Sequence, residues 1–394
     1  MSAIDSQFLI PFTDEHEMVR ESVRRLVEEK IAPRAISLDA EHAFPHEAMA
    51  ELAQLDLLGV NIPQEYGGAG MDFVTYIIIM EELSRGCGST ALTFTAHSGL
   101  CMTPISILAS HEQKLRWLPQ LCSGKMIGCF GLSEPGSGSD AGSLTTVAVR
   151  DGNHFVVNGT KMWITNGKYA GVMVTTCKTD PSQGRGKGIS SLLIPLDSPG
   201  VSVIKEEDKL GLRGSSTAQV FLDNVRVPLE NLIGAEHNGF GAFMATLEGG
   251  RIAIAAMALG LAQSSFERSL AYVKQRRTFG RLLAQHQTIQ IYLADMATHI
   301  EAARLLVYRA AFLRDAGRPF AKEASMAKLF ATEMAMDVTN NAIQIHGGYG
   351  YVKEFEVERI WRDAKLCTIG EGTTEIQRVI IARQLLGDAV KGVV

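Results

Sequence analysis

Apolar residues in the first third of the chain recur at the three- and four-residue steps of a helix, and they predict an α-helical domain over residues 1–125. Either Thr13 or Asp14 is placed to cap the first helix. Phe73–Leu83 is almost wholly apolar before its acidic pair, which indicates a helix inside a bundle. The first apolar helical face consists of Met18, Val19, Val23, Leu26, Val27 and Ile31.

The pattern changes to short β-rich runs between residues 126 and 236. Asp151-Gly152, Asn158-Gly159 and Asn166-Gly167 punctuate these runs, and such dipeptides supply the positive φ angles of tight hairpin turns. We therefore predict a middle antiparallel β domain, a sandwich or a barrel. The predicted strands are Thr145–Arg150, His154–Val157, Met162–Thr165, Val172–Cys177, Ser190–Ile194 and Ala218–Leu222.

Helical periodicity returns over residues 237–394, in long segments near 240–273, 283–315 and 321–346. Their lengths suit a helix bundle. Gly370–Thr374 interrupts the pattern, and a last helix, Glu375–Leu386, follows with Thr373 or Thr374 as its cap. The predicted fold class is multidomain α+β, with the β domain between two helical domains.

Composition excludes several classes of function. The chain has 394 residues, a formal net charge of -5 and 46% hydrophobic residues, with no run of about five like charges. This argues against a nucleic-acid-binding surface and a polybasic membrane anchor. No stretch approaches about 18 uninterrupted apolar residues, so no membrane insertion is expected. The six cysteines form no C-x-x-C pair and the ten histidines no HExxH, so we predict a reducing compartment and no metal.

Gly131–Ser143 (GLSEPGSGSDAGS) is rich in small residues. Gly136-x-Gly138-x-x-Ala141 loosely matches a dinucleotide-binding fingerprint, but hairpin signals rather than a helix follow it. Neither Ser133 nor Ser139 stands in a G-x-S-x-G motif. Two interpretations remain open: a surface loop, or a loop that brings backbone N–H groups and hydroxyls close to a flat or anionic ligand.

Lys161–Gly167 (KMWITNG) also has two interpretations. Trp163 either fills the core of the β domain or, together with the hydroxyl of Thr165, forms the wall of a site for a flavin ring.

Two glycine-containing segments follow near the C-terminus. In Gln344–Asp363 (QIHGGYGYVKEFEVERIWRD), Gly347, Gly348 and Gly350 end a helix, either as a simple corner or to allow close backbone approach. In Thr368–Arg378, Glu371 stands between two glycines. It is either a solvated loop residue or a carboxylate held in a cleft, where desolvation would raise its pKa toward that of a general base.

Together and in this order, these segments resemble the acyl-CoA dehydrogenase family over essentially the whole chain. GLSEPGSGSD and QIHGGYGYVKEFEVERIWRD fit the two signatures of that family. The resemblance implies a C-terminal four-helix bundle, FAD as cofactor, and dehydrogenation of an acyl-CoA to the trans-2-enoyl-CoA. It also implies a homotetramer that passes electrons to an electron-transfer flavoprotein. The texture is closest to short-chain and branched-chain-type bacterial members.

The resemblance also assigns roles by position. Glu371 matches the catalytic base. Ser139, Glu248 and Arg251 match substrate-binding positions, and Gly370 lies beside the acyl group. Six of the implied cofactor residues would hold the ADP half of an FAD in a neighbouring subunit; they are Arg276, Phe279, Gln287, Gln344, Gly347 and Gly348. The implied FAD-binding residues are Phe130, Leu132, Ser133, Trp163, Thr165, Arg276, Phe279, Gln287, Gln344, Gly347, Gly348, Thr373 and Glu375.

Three positions narrow the expected chemistry. Many family members have an aromatic residue where this chain has Gly370, so we predict that a branched, cyclic or otherwise bulky acyl group is tolerated. An alternative family position for the base is occupied here by Gly250, which leaves Glu371 without a rival. Cys87–His111 contains no Asp, Glu, Lys or Arg, and this favours a monocarboxylic acyl group.

Two other functions stay open at this point. One is an acyl-CoA oxidase on the same scaffold, which would reduce O₂. The other is a non-catalytic acyl-CoA or flavin-binding protein. The expected location is the cytoplasm of a bacterium, or a reducing organelle matrix in a eukaryote.

Overall fold

The N-terminal region is helical, as predicted. The computed structural model describes residues 11–390. The Thr13 hydroxyl accepts a hydrogen bond from the His16 backbone N–H at 3.2 Å, so Thr13 caps the first helix. The helices are α1 (Asp14–Leu26), α2 (Ala35–Glu41), α3 (His46–Gln54), α4 (Phe73–Gly86), α5 (Gly88–Phe94), α6 (Thr103–Leu108) and α7 (His111–Cys122).

Between α5 and α6 the chain continues as a π-helical segment, Thr95–Met102. Widened turns of this kind are frequent at functional sites. The continuous helical stretch Gly88–Leu108 is long and apolar enough to cross a membrane by composition, and so is Gly239–Val273. Their apolar windows are 72% and 82% buried inside the protein, as expected of core helices.

The middle region forms an eight-stranded sheet in the order β6-β7-β3-β2-β4-β5-β8, with β1 pairing with β4. Most pairs are antiparallel, which confirms the predicted class. The β1–β4 and β2–β4 pairs are parallel, so the sheet is mixed. The strands are β1 (Gly128–Gly131), β2 (Val147–Asp151), β3 (His154–Thr165), β4 (Val172–Lys178), β5 (Ile189–Pro195), β6 (Val201–Glu206), β7 (Thr217–Pro228) and β8 (Leu232–Ile233).

Of the three predicted hairpin turns, one closes a hairpin. Asp151 pairs with His154, so Asp151-Gly152 begins the β2–β3 turn. Asn158-Gly159 instead lies inside β3, where the register with β7 shifts. A Cβ at Gly159 would stand 2.8 Å from the Thr146 Cα, so glycine permits β3 to approach the residue that leads into β2. Asn166-Gly167 ends β3, but β4 pairs with other strands, and this turn prediction is also wrong.

The C-terminal region is a helix bundle whose segments agree closely with the predicted ones. α8 packs against both α4 and α10, so the two helical regions share one hydrophobic core. Thr373 caps the last helix. The elements are α8 (Gly239–Val273), β9 (Arg277–Thr278), β10 (Arg281–Leu282), α9 (Gln287–Asp315), α10 (Ala321–His346), α11 (Val357–Cys367) and α12 (Thr374–Leu386).

Candidate active site

A cavity of about 1540 Å³ lies where the helical N-terminal region, the sheet and the C-terminal bundle meet. Its helical wall includes Leu92, Thr95, Ala96 and Leu100, from α5 and the π-helical segment. The structure brings together in this cavity most of the residues that the sequence singles out. Those lining it are Phe130, Leu132, Ser133, Ser139, Trp163, Thr165, Glu248, Arg251, Gly370, Glu371 and Thr373.

Trp163 belongs to the cavity wall and not to the β-domain core. A register shift between Lys161 and Ile164 interrupts β3 at this residue, which takes the unusual φ of 62°. Bulges of this kind re-aim side chains near functional sites, and a bulky residue at positive φ is a strained one. The side chain is 59% exposed, so the indole is presented to the cavity. The core interpretation of Trp163 is therefore wrong.

A buried ion pair lies behind this wall. The Lys161 ammonium donates to a Glu134 carboxylate oxygen and to the Thr176 carbonyl, both at 2.8 Å. Glu134 also accepts from the backbone N–H groups of Thr145 and Thr146. Burial alone would raise the pKa of Glu134, but the Lys161 charge and these hydrogen bonds lower it to about 2. The pair thus joins the Leu132–Glu134 loop to β3 and β4.

Glu371 occupies the short loop between α11 and α12. Its φ of 57° is left-handed, and Gly372 follows at 88°. Two donors hold the loop from outside it. The Lys328 ammonium donates to the Gly372 carbonyl at 2.6 Å, and the Gln377 amide donates to the same carbonyl at 2.9 Å. The strained backbone therefore directs the carboxylate into the cavity and is fixed there.

Burial raises the pKa of the Glu371 carboxyl from its ordinary 4.5 to about 7, although the Lys328 and Arg251 charges act in the opposite direction. Its Oε2 is enclosed and accepts no hydrogen bond from the described residues. A Cβ at Gly250 would stand 2.6 Å from this oxygen, so α8 leaves room for the carboxylate by having glycine there. A carboxylate in this state can take a proton near neutral pH.

Charged and polar residues of α8 and of the loop around Ser139 also line the cavity. Arg251 of α8 is buried, and its Nε has no hydrogen-bond partner in the part of the chain that the structure describes. Glu248, one turn earlier, has its pKa raised by burial. Ser139 lies at the loop where the Asp140 carboxylate binds the Arg185 guanidinium at 2.6 Å.

A second pocket, of about 490 Å³, lies on the C-terminal bundle and includes Arg276, Gly347 and Gly348. The Tyr272 and His346 rings stack in it, with centroids 4.2 Å apart. The other predicted cofactor residues of this region are solvent-exposed and line neither pocket. They are Phe279, which is 94% exposed, Gln287, Gln344 and Glu375.

Comparison with known proteins identifies the family. Residues 13–125, 129–225 and 237–386 match the N-terminal, middle and C-terminal domains of acyl-CoA dehydrogenases, respectively. The chain belongs to the acyl-CoA dehydrogenase family. This membership confirms the family and the oxidoreductase class predicted from the sequence, and FAD is the cofactor of the family.

Among curated acyl-CoA dehydrogenases, the probable acyl-CoA dehydrogenase YngJ of Bacillus subtilis is 48% identical, over 95% of this chain and 98% of that protein. The mitochondrial short-chain specific acyl-CoA dehydrogenase of Rattus norvegicus is 46% identical, over 96% and 91%.

Two solved structures have the same architecture throughout. Butyryl-CoA dehydrogenase from Megasphaera elsdenii superposes with a TM-score of 0.93 at 39% identity, covering 95% of this chain and 99% of that one. A chain solved in work on the electron transferring flavoprotein of Acidaminococcus fermentans gives 0.94 at 41% identity, covering 96% and 99%.

Two buried lysines of this acyl-CoA dehydrogenase escape sequence reasoning. Lys161 is conspicuous only once its contact with Glu134, 27 residues earlier, is known. Lys328 leaves a trace in the sequence, because it interrupts an apolar face of α10. That face is formed by Ala324, Ala327, Ala331 and Ala335, all of them buried. A lysine at such a position indicates a buried cation with a specific acceptor.

Proposed function

We propose that this protein catalyses the FAD-dependent α,β-dehydrogenation of an acyl-CoA thioester to the trans-2-enoyl-CoA. The observation that carries the proposal is the Glu371 carboxylate, which is enclosed in the cavity and has a pKa near 7. Trp163 and Thr165 form another wall of the same cavity, where a flat ring has room to stack.

Glu371 acts as the general base that removes the α proton. An α C–H beside a thioester is a weak acid, so the base needs a pKa near the working pH and a site without bulk water. The Glu371 carboxyl meets both conditions, since its pKa is about 7 and its Oε2 is enclosed. Hydrogen bonds to the thioester carbonyl, one of them from the backbone N–H of the base in this family, stabilise the enolate-like charge.

When bound, FAD would supply the acceptor for the β hydrogen. The residues present fit such a group, because the strained and exposed Trp163 offers an indole face at the cavity. The ADP half is assigned to the second pocket, with Arg276, Gly347 and Gly348. The two pockets share no lining residue, which supports an FAD bound between two copies of the chain, as in a homotetramer.

Two highly exposed aromatic residues support this assembly. Phe279 is 94% exposed at a φ of 51°, and Tyr351 is 86% exposed. Large aromatic groups at these positions are suited to burial against a partner or a ligand. Gln287, Gln344, Thr373 and Glu375 complete the proposed FAD contacts.

The acyl group is proposed to be short or branched and monocarboxylic. Butyryl-CoA dehydrogenase and short-chain specific relatives support the first feature. Apolar Leu92, Ala96 and Leu100 line the helical wall and support the last. Ser139, Glu248 and Arg251 are proposed to contact the CoA part.

An electron-transfer flavoprotein is the proposed electron acceptor, supported by the structural similarity to the chain from the Acidaminococcus fermentans flavoprotein work. The proposed location is the bacterial cytoplasm or a mitochondrial-type matrix. The curated relatives support this, since they include a bacterial and a mitochondrial protein.

The test is an anaerobic titration of the FAD-loaded protein with a panel of acyl-CoAs, followed by flavin absorbance. The flavin absorbance of the wild-type protein should bleach. Glu371→Gln should still bind the ligand, but its flavin should be reduced at least about 10³-fold more slowly. Bleaching of the Gln variant at the wild-type rate would refute the role of Glu371. Stoichiometric peroxide in aerated turnover would instead indicate an oxidase.

A further inference from the structure

Lys328 is a buried cation next to the proposed base. It lies on α10, its side chain is fully buried, and its ammonium donates to the Gly372 carbonyl at 2.6 Å. Within residues 11–390, Lys328 forms no ion pair with a carboxylate. Burial lowers the pKa of Lys328 to about 8, while the nearby Cys367 and Glu371 act to raise it. A buried ammonium without a paired carboxylate is costly, which makes a purely structural role an inefficient one.

We propose that Lys328 is a positioning residue for Glu371. Its hydrogen bond to Gly372 fixes the loop that carries the carboxylate, and its positive charge favours the ionised, proton-accepting form of Glu371. The inference rests on the proposed function, since it matters only if Glu371 is the base.

The geometry separates these two effects. Gln377 also donates to the Gly372 carbonyl, at 2.9 Å, so the loop keeps one hydrogen bond when Lys328 is replaced. The charge has no such substitute on α10. Arg251 of α8 faces Glu371 as well, but Glu248 lies beside Arg251 and offsets part of its charge. The ionisable groups around Glu371 and Lys328 are Tyr76 of α4, Glu248 and Arg251 of α8, Cys367 of α11 and Glu375 of α12.

Three substitutions of Lys328 distinguish the effects. Lys328→Gln keeps a donor without the charge, Lys328→Met removes both, and Lys328→Arg keeps the charge. Lys322→Met, on the partly exposed start of the same helix, is the matched control. Each variant is purified with FAD, and its content of flavin and its melting temperature show whether it folds.

The main measurement is the rate of flavin reduction by butyryl-CoA as a function of pH, in anaerobic stopped flow. We expect Lys328→Gln and Lys328→Met to move the apparent pKa of the base upward. Their rates should be about tenfold lower near pH 7 and should approach the wild-type rate at higher pH. Lys328→Arg and Lys322→Met should keep the wild-type profile. A second readout is the infrared carbonyl band of protonated Glu371, assigned by its loss in Glu371→Gln, which should persist to higher pH without the Lys328 charge.

Two results would overturn the inference. One is a wild-type pH profile in Lys328→Gln and Lys328→Met. The other is an equal loss of rate at every pH with an unmoved infrared transition, which would mark Lys328 as a packing residue. Both leave the proposed function intact, because that function is tested separately, by flavin reduction in the wild-type protein and in Glu371→Gln.

Discussion

Two glutamates with enclosed carboxylate oxygens, each near a buried lysine, have opposite chemistry in this protein. Glu134 pairs directly with Lys161 at 2.8 Å and accepts further hydrogen bonds from the backbone N–H groups of Thr145 and Thr146, and its pKa falls to about 2. Glu371 lies in the field of Lys328 without pairing with it. Its Oε2 has no donor among the described residues, and its pKa rises to about 7.

The difference shows that burial alone does not decide the state of a carboxyl group. Both residues lose hydration, which by itself raises the pKa. At Glu134, hydrogen-bond donors replace the lost water, so the carboxylate is ionised at neutral pH. The Glu134–Lys161 ion pair therefore stabilises the fold. At Glu371 the lysine hydrogen bond goes to the neighbouring carbonyl instead, so the oxygen stays available for a proton. Whether an enclosed carboxyl group remains ionised or can act as a base therefore depends on whether hydrogen-bond donors are directed at its oxygens.

The largest expected effect on stability comes from removing one partner of the Glu134–Lys161 ion pair. Lys161→Met leaves the Glu134 anion buried without its cation, and such a change costs about 3–5 kcal/mol of unfolding free energy. The double variant Glu134→Gln/Lys161→Met removes both charges and should recover much of that loss. Denaturant unfolding of the FAD-loaded protein measures both values.

Glu371→Gln is the matched change at the other site, and it should not destabilise the protein. A double variant as unstable as Lys161→Met alone would contradict the role of the charge pair. It would place the loss in the packing of β3 instead.

The next effect, on the order of 3 kcal/mol, is a pH dependence of stability at Glu371. Its folded pKa of about 7 lies above the ordinary 4.5, so the folded protein binds a proton that the unfolded chain releases. The stabilisation is complete below pH 4.5 and is lost as the pH rises to about 7. Relative to wild type, Glu371→Gln should therefore gain unfolding free energy across this window and hold the gain above it. An unchanged difference between pH 4.5 and pH 8 would show that the carboxyl is not desolvated.

Sequence reasoning locates the candidate base Glu371 better than it locates the Glu134–Lys161 ion pair. The α, β, α order follows from periodicity, and Glu371 stands out because glycines flank it on both sides. The state of its carboxyl depends on α8 and α10, which come from distant parts of the chain, so no local pattern reveals it. The Glu134–Lys161 pair likewise joins a loop residue to a residue of β3, 27 positions later in the chain. The prediction of a turn at Asn158-Gly159 is wrong for a related reason. Glycine is needed at position 159 because Thr146 lies close to it, and not because the chain turns there.

The smallest expected effect concerns the open space beside Glu371. A Cβ at Gly370 would meet Leu366 at an ordinary 3.7 Å, and Gly370 has no positive φ, so the backbone does not require glycine there. Gly370→Tyr should therefore fold and place a ring in the cavity. Oxidation of a branched acyl-CoA should fall about tenfold in kcat/KM, with little change for butyryl-CoA. Gly370→Ala, which adds one methyl group in ordinary contact, is the control and should leave the ratio of the two substrates near wild type. Equal losses for both substrates in Gly370→Tyr would mean that the ring disturbs Glu371 itself, and that the space beside the base does not select the acyl group.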